Sequence, residues 1–326
     1  GIDIGSKHSL IAHTNGGCFP TVVCNSISNP ITPSCVVYEP DSKAVFVGED
    51  AIDKQLRYPQ YTVTNVTKTP SFSSDVPYFY QTMLVDNLIR DVERYLQDKS
   101  EKMVPSETVA TLTVPGEMDP EERELYRSII EQHFGFKKVY TVPDIEAAAL
   151  CLKTMHSVEK KVVLIVDIGA HHTTAALFSV GEEITCLKKK STVVGGNDLD
   201  RKVIQFVKDT MAEKHHVNLD DPSNRRAYIR ACRAAEKARI LLSTVPEATI
   251  DLDGVNDSSY QIKLQRAMLQ DLIKDELEKV KDVVADVVTD AKCKIDQVEV
   301  IGGTGRSPLV VEMIKKVVGK DRKSVV

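Results

Sequence analysis

The feature that most constrains this chain is a repeat: an apolar, β-branched run that stops at Asp-Ile-Gly and a short polar turn. Lys161 to Thr174 reads KVVLIVDIGAHHTT. Val162 to Val166 has the continuous hydrophobicity of a strand buried on both faces, and the Asp and Gly at its end set a carboxylate beside a turn where backbone can approach a ligand closely. The chain opens the same way. Ile2 to Ile11 aligns with Val166 to Ala175, matching Asp, Ile, Gly, a His and a hydroxyl residue in register. Two such units about half the chain apart predict an internal duplication with a ligand held between the copies.

A length of 326 residues, 42% of them hydrophobic and 27% charged, provides for two substantial cores. The net charge of -5 and pI of 6.0 oppose direct nucleic-acid binding by broad electrostatic attraction. No apolar run reaches the length of a membrane span. The cysteines, at 18, 24, 35, 151, 186, 232 and 293, are odd in number, scattered and free of C-x-x-C, which opposes a disulfide framework or zinc site and fits a reducing, cytoplasmic compartment. The chain has no initiating Met and opens inside its first predicted strand, as a fragment would, so a secretory leader and the endoplasmic-reticulum lumen stay open.

Residues 1 to about 50 read as a β meander, with strands at Leu10 to His13, Phe19 to Cys24 and Ser34 to Tyr38, then a short helix from Glu49 to Gln55. Thr62 to Tyr78 has no period and reads as loop, and Tyr80 to Leu96 has helical spacing. Thr108 to Val114 is a buried strand, followed by a helix to Phe134 with Asp119 as N-cap and Pro120 in the first turn. A strand at Val139 to Val142 and a small-residue helix from Asp144 to Met155 close the first half. The second half repeats the plan, with strands from Val162, Ala175 and Ile184, a turn at Gly195-Gly196-Asn197-Asp198 and a helix to about Lys214. A charged helix from Asn224 to Leu242, a hairpin around Asp253-Gly254 and one long helix from Gln265 to Lys292 follow. Gln297 to Ile301 then delivers Gly302-Gly303 and a helix to Val318, paralleling Thr108 to Phe134.

An Asp at a strand end followed by glycine turns suits phosphate chemistry, because turn amides bind phosphate oxygens while the carboxylate orients waters around Mg²⁺. A single glycine turn is usually just a tight connection; two in matching context, with Gly195-Gly196 and Gly302-Gly303, exceed that. His171-His172 and His215-His216 do not make a metal site, since adjacent imidazoles diverge and no third ligand is suitably spaced. The Lys188-Lys189-Lys190 run reads as a solvated hairpin.

The motifs GIDIG at the start, NPITPSCVVY at 29–38, TVPGEMDPEER at 113–123, VPDIEAAAL at 142–150, VDIGAHHTT at 166–174, VGGNDLDRKV at 194–203, EKARILLS at 236–243 and VIGGTGRSP at 300–308 resemble the nucleotide-binding domain of the seventy-kilodalton heat-shock chaperones. The resemblance implies an α/β, actin-like ATPase (ribonuclease H-like) duplicated fold, with two lobes around a nucleotide cleft. Lobe I is expected over 1–158, its upper subdomain reduced around 69–100, and lobe II over 159–326, with a charged helical subdomain at about 197–265.

It implies ATP or ADP with Mg²⁺ as cofactors. The first phosphate loop falls on Asp3, Gly5, Ser6 and Lys7, the second on Asp167, Gly169, Ala170, His171 and His172, and the phosphate-proximal glycines on Gly195 and Gly196. The adenosine pocket falls on Glu236, Arg239, Ser243, Gly302, Gly303, Thr304 and Arg306; Asp3, Asp167 and Asp144 serve Mg²⁺ through water.

The departures are informative. Lys7 stands where the family has a second Thr, and Ala170-His171-His172 where it has Gly-Gly-Thr, so β-carbons and imidazoles crowd backbone meant to touch phosphate. The family's catalytic Lys aligns with Thr67, and a one-residue shift recovers it at Lys68. Ile240 replaces an Arg that stacks on adenine. The expected function is therefore an atypical chaperone nucleotide-binding domain acting in protein folding, with weak or slow ATP hydrolysis. The alternative is a non-hydrolysing co-chaperone, an exchange factor or a ribosome-associated partner module. Other chaperones or co-chaperones are the expected partners, and the peptide-binding domain is expected to be absent from this chain.

Overall fold

The computed structural model describes residues 1–17, 19–64, 66, 78–155, 160–255, 258–289, 293–319 and 324–325. Lys68 and Thr67 lie outside the described residues. The chain divides into two units, Gly1–Ala147 and Ala148–Val326.

The first unit runs β1 (Ile2–Ile4), β2 (His8–His13), β3 (Thr21–Val22), β4 (Thr32–Pro33), β5 (Cys35–Glu39), β6 (Ala44–Val47), α1 (Glu49–Lys54), β7 (Thr62–Thr64), α2 (Phe79–Gln97), β8 (Val109–Val114), α3 (Pro120–Phe134), β9 (Lys138–Pro143) and the start of α4 (Asp144–Met155). Its main sheet has the order β3-β2-β1-β8-β9, with β4 also paired to β2, and a smaller sheet has the order β6-β5-β7. β1 is antiparallel to β2 and parallel to β8, which is parallel to β9. The core joins Val85, Leu88 and Val92 of α2 and Tyr126 and Ile130 of α3 to Ile2, Leu112 and Val114 of the sheet.

The second unit continues with β10 (Lys161–Ile168), β11 (Thr173–Val180), β12 (Ile184–Thr192), α5 (Gly196–His215), α6 (Arg225–Leu241), β13 (Glu247–Val255), β14 (Ser258–Gln265), α7 (Arg266–Leu272), α8 (Lys274–Thr289), β15 (Gln297–Ile301), α9 (Pro308–Val318) and β16 (Ser324–Val325). Its main sheet has the order β12-β11-β10-β15-β16. β10 is antiparallel to β11 and parallel to β15, as β1 is to β2 and β8. The two sheets therefore share one strand plan, and the repeat seen in the sequence is a repeat of topology. Val163, Leu164, Ile165 and Val166 are buried. Each such side chain contributes about 1.5–3 kcal/mol through removal from water. Leu164 and Val166 pack with Val283, Val284 and Val287 of α8 and Val310 and Ile314 of α9 in one core. A second core in this unit joins α5 and α6 to the β13–β14 hairpin.

Three local expectations need correction. Thr62 to Thr64, read as loop, forms β7, because pairing with β5 supplies the hydrogen bonds that its composition does not advertise. Asp253-Gly254 is not the hairpin turn. It is an irregularity within β13, where the register shifts between Leu252 and Val255, and Arg230 donates to the carbonyls of both residues. Gly254 takes a φ of 65°, the conformation that such a bulge requires. The helix expected from Gln265 to Lys292 is two helices, broken at Ile273, whose φ of -101° and ψ of 7° leave the helical region. The apolar period runs unbroken across Ile273, which is buried, while Asp275 and Glu276 favour a new N-terminus directly after it.

The predicted cap of α3 is present: an Asp119 side-chain oxygen accepts from the Glu121 amide at 2.9 Å, and Gly135 closes the helix in the left-handed region. Asp119→Ala should lower stability by about 1 kcal/mol, read as a shift in the urea midpoint with unchanged slope.

Candidate functional site

In the first unit the chemistry gathers where the central strands end. Asp3 lies in β1, and Gly5 starts the turn into β2. A β-carbon on Gly5 would stand 2.5 Å from the His8 carbonyl oxygen, so the turn closes on itself only if that residue is glycine. Ser34, buried just before β5, holds this turn: its hydroxyl donates to the Gly5 carbonyl at 2.6 Å and its amide to the Lys7 carbonyl at 2.8 Å. Ser6 and Lys7 are partly buried in the same turn. Thr113, near the end of β8, donates its hydroxyl to Asp3 Oδ1 at 2.5 Å.

Asp144 opens α4, and its Oδ1 accepts from the Ile145 amide at 2.9 Å. Its charge reaches Asp3. The Asp3 carboxyl is pushed above the ordinary carboxylate range, chiefly by burial; the Thr113 hydrogen bond opposes this and the Asp144 charge adds to it. Two carboxylates in mutual repulsion, one of them poorly solvated, make a place that a divalent cation would stabilise, so these residues fit the Mg²⁺ that the resemblance implies.

In the second unit three turns meet behind Asp167. The first follows β10, where the Gly169 amide donates to the His172 carbonyl at 3.0 Å. The second precedes α5, where the Gly196 amide donates to the Gly169 carbonyl at 2.9 Å and the Asn197 amide to the Ala170 carbonyl at 2.7 Å. The third follows β15, where the Thr304 hydroxyl donates to the Gly169 carbonyl at 3.2 Å.

Glycine is required at each junction. A β-carbon on Gly195 would stand 2.7 Å from the Ala170 carbonyl carbon and the His171 nitrogen, and one on Gly196 2.5 Å from Thr304 Oγ1. One on Gly302, whose φ is 84°, would stand 2.3 Å from the Ile168 carbonyl oxygen and 2.6 Å from Asp167 Oδ1. Gly195 and Gly196 are thus buried, with protein atoms occupying the space that their missing side chains leave. Gly303 differs: it is exposed, with nothing within 4 Å of an added β-carbon.

Glu236, Arg239 and Ser243 lie along or just beyond α6, and Arg306 is exposed at the end of the turn after β15. Arg239 does not stand open to solvent. Its Nε donates to Asp200 Oδ1 at 2.5 Å, and the two side chains are 11% and 8% exposed. Sequence reasoning missed Ser34, Thr113 and Asp200 as contributors, although each stands within a motif already singled out. What was lacking is the distance: Thr113 is 110 positions from Asp3, and only the parallel pairing of β1 with β8 unites them.

The Hsp70 protein family model matches residues 1–76 and 76–326. The chaperone protein DnaK of Thermosipho africanus is 26% identical over 341 aligned residues, which cover 98% of this chain and 55% of that protein. The chain therefore spans about half the length of this curated relative. With the family match running the whole length of the chain, and with the Asp-Ile-Gly turns in paired sheets of one strand order, this chain belongs to the Hsp70 family and has its actin-like ATPase fold.

Proposed function

We propose that this chain is the nucleotide-binding part of an atypical Hsp70-type chaperone, binding ATP or ADP with Mg²⁺ and hydrolysing ATP slowly. The observation that supports the reading is the Asp3 carboxyl, held by Thr113 beside the tight Gly5 turn, where burial and, to a lesser degree, the Asp144 charge oppose an ionisation that a cation would favour. Asp3 and Asp144 would hold Mg²⁺ through water in the first unit; Asp167 is the matching strand-end carboxylate of the second. Gly5, Ser6 and Lys7 would face phosphate oxygens, and Gly302, Gly303, Glu236, Ser243 and Arg306 the nucleoside. When bound, Mg²⁺ offsets the charge that builds on a transferring phosphoryl group. The seven scattered cysteines, of which the six described are free thiols, support a reducing, cytoplasmic-type compartment.

Slow turnover follows from the turn after β10. Ala170 and His171 bring side chains to backbone that would have to approach phosphate closely, and Gly195 presses on the same peptide from behind, so the turn has no room to withdraw. The second reading, a non-hydrolysing partner module for another chaperone, gains support from the Arg239–Asp200 pair. A guanidinium already paired with a carboxylate offers little further charge to a ligand.

Three measurements test these readings. Calorimetric titration with Mg-ATP should show binding, and single-turnover hydrolysis should be slow and abolished by Asp167→Asn. No heat at millimolar ATP would sink the nucleotide reading, and bound ATP that is never hydrolysed would select the partner module. The double variant Ala170→Gly, His171→Gly should bind Mg-ATP about tenfold more tightly, roughly 1.4 kcal/mol; unchanged affinity would overturn the steric account.

The third test is pH dependence. Because the Asp3 carboxyl is raised on folding, its contribution favours the folded state where it is protonated and is lost as pH rises through the folded value. Asp3→Asn, neutral at every pH, should therefore be more stable than wild type at pH ~7.5, with that advantage disappearing below about pH 4, near the unfolded carboxylate value. Urea midpoints at the two pH values measure it.

A further inference from the structure

Both Asp-Ile-Gly turns have the same fastening. In each, the glycine carbonyl accepts a hydrogen bond from a hydroxyl carried by a distant, buried residue: Ser34 to Gly5 at 2.6 Å, and Thr304 to Gly169 at 3.2 Å. The second is the more consequential, because the Gly169 carbonyl also accepts the Gly196 amide at 2.9 Å. One oxygen thus receives donors from two other turns. Thr304 Oγ1 lies so close to Gly196 that any side chain there would collide with it, and Gly302, two residues before Thr304, packs against Ile168 and Asp167. The turn after β15 is therefore hydrogen-bonded to the turn after β10 through the Thr304 hydroxyl, in addition to the close packing at Gly302.

We infer that Thr304 is a positioning residue rather than a ligand contact: its hydroxyl couples the turn after β15 to the turn after β10, so that a nucleoside seated at Gly303 fixes the turn that meets the phosphates. The inference rests on the nucleotide reading above and names how that site is regulated internally. The Thr304 hydroxyl has an acceptor already and belongs to a residue 6% exposed, whereas Gly303 beside it is open. A ligand would therefore be felt first at Gly303 and transmitted through Thr304.

Thr304→Val keeps the shape and removes the donor, while the Gly169 carbonyl keeps its bond from Gly196. Thr304→Ser keeps the donor. Affinities of wild type and both variants for adenosine and for Mg-ADP, measured by calorimetry, separate the roles. The expected result is adenosine affinity within about twofold of wild type in Thr304→Val, Mg-ADP affinity lower by about fivefold to tenfold, the scale of one buried hydrogen bond, and recovery in Thr304→Ser. Equal losses for adenosine and Mg-ADP would make Thr304 a nucleoside contact and overturn the inference, as would no loss for either.

Hydrogen exchange without ligand supplies an independent readout. The Gly196 and Asn197 amides should exchange faster in Thr304→Val than in wild type or Thr304→Ser, and equal protection overturns the coupling. If wild type binds neither adenosine nor Mg-ADP, the nucleotide reading fails, and the exchange result alone decides whether the turns are coupled.

Discussion

The architecture of both units depends on how close one backbone segment can come to another at the end of a central strand. At Gly5 and Gly169 the chain turns so tightly that the carbonyl three residues on lies 2.5 Å and 3.3 Å from where a β-carbon would be. That turn lets β1 and β10 each pair antiparallel with the next strand while ending in a carboxylate at the open end of the sheet. The glycines at 195, 196 and 302 extend the same constraint in the second unit. Among these strand-end glycines the missing side chain lets protein atoms pack close, whereas Gly303 leaves open space.

The electrostatics of the two units differ in kind. In the first, Asp3 and Asp144 repel each other in poorly solvated surroundings, and the hydroxyl of Thr113 supplies partial compensation. In the second, the buried charges of Arg239 and Asp200 satisfy each other. Removing Asp200 would leave a guanidinium buried without its carboxylate, a loss of about 3–5 kcal/mol in comparable pairs. The first unit thus holds a buried carboxyl whose ionisation is opposed, while the second holds a buried ion pair.

The two copies have also diverged where a ligand would be met. The turn after β1 is fastened by a serine from outside the repeat, and the turn after β10 by a threonine from the turn that follows its parallel partner strand, β15. Ser6 and Lys7 carry the side chains of the first turn, Ala170 and His171 those of the second. A shared strand order has thus been kept while the contacts that brace each turn were rebuilt from different segments.

Much of the architecture was legible in the residues. The continuous apolar run from Val162 to Val166 marked a doubly covered strand, Asp119 and Pro120 marked a helix start, and the repeated Asp-Ile-Gly announced the duplication, because burial, capping and turn geometry are local demands that individual residue types meet. The break at Ile273 and the strand at Thr62 to Thr64 were not legible, since a helical period says nothing of where the axis changes direction and a three-residue strand owes its existence to its partner. The site divides along the same line. Sequence determined which carboxylates and glycines stand at strand ends; tertiary structure alone decided that Thr113 reaches Asp3, that Asp200 claims Arg239, and that Thr304 fastens Gly169. Those are hydrogen bonds between residues 39 to 135 positions apart, and their 2.5 to 3.2 Å lengths exist only once the sheet has brought distant segments together.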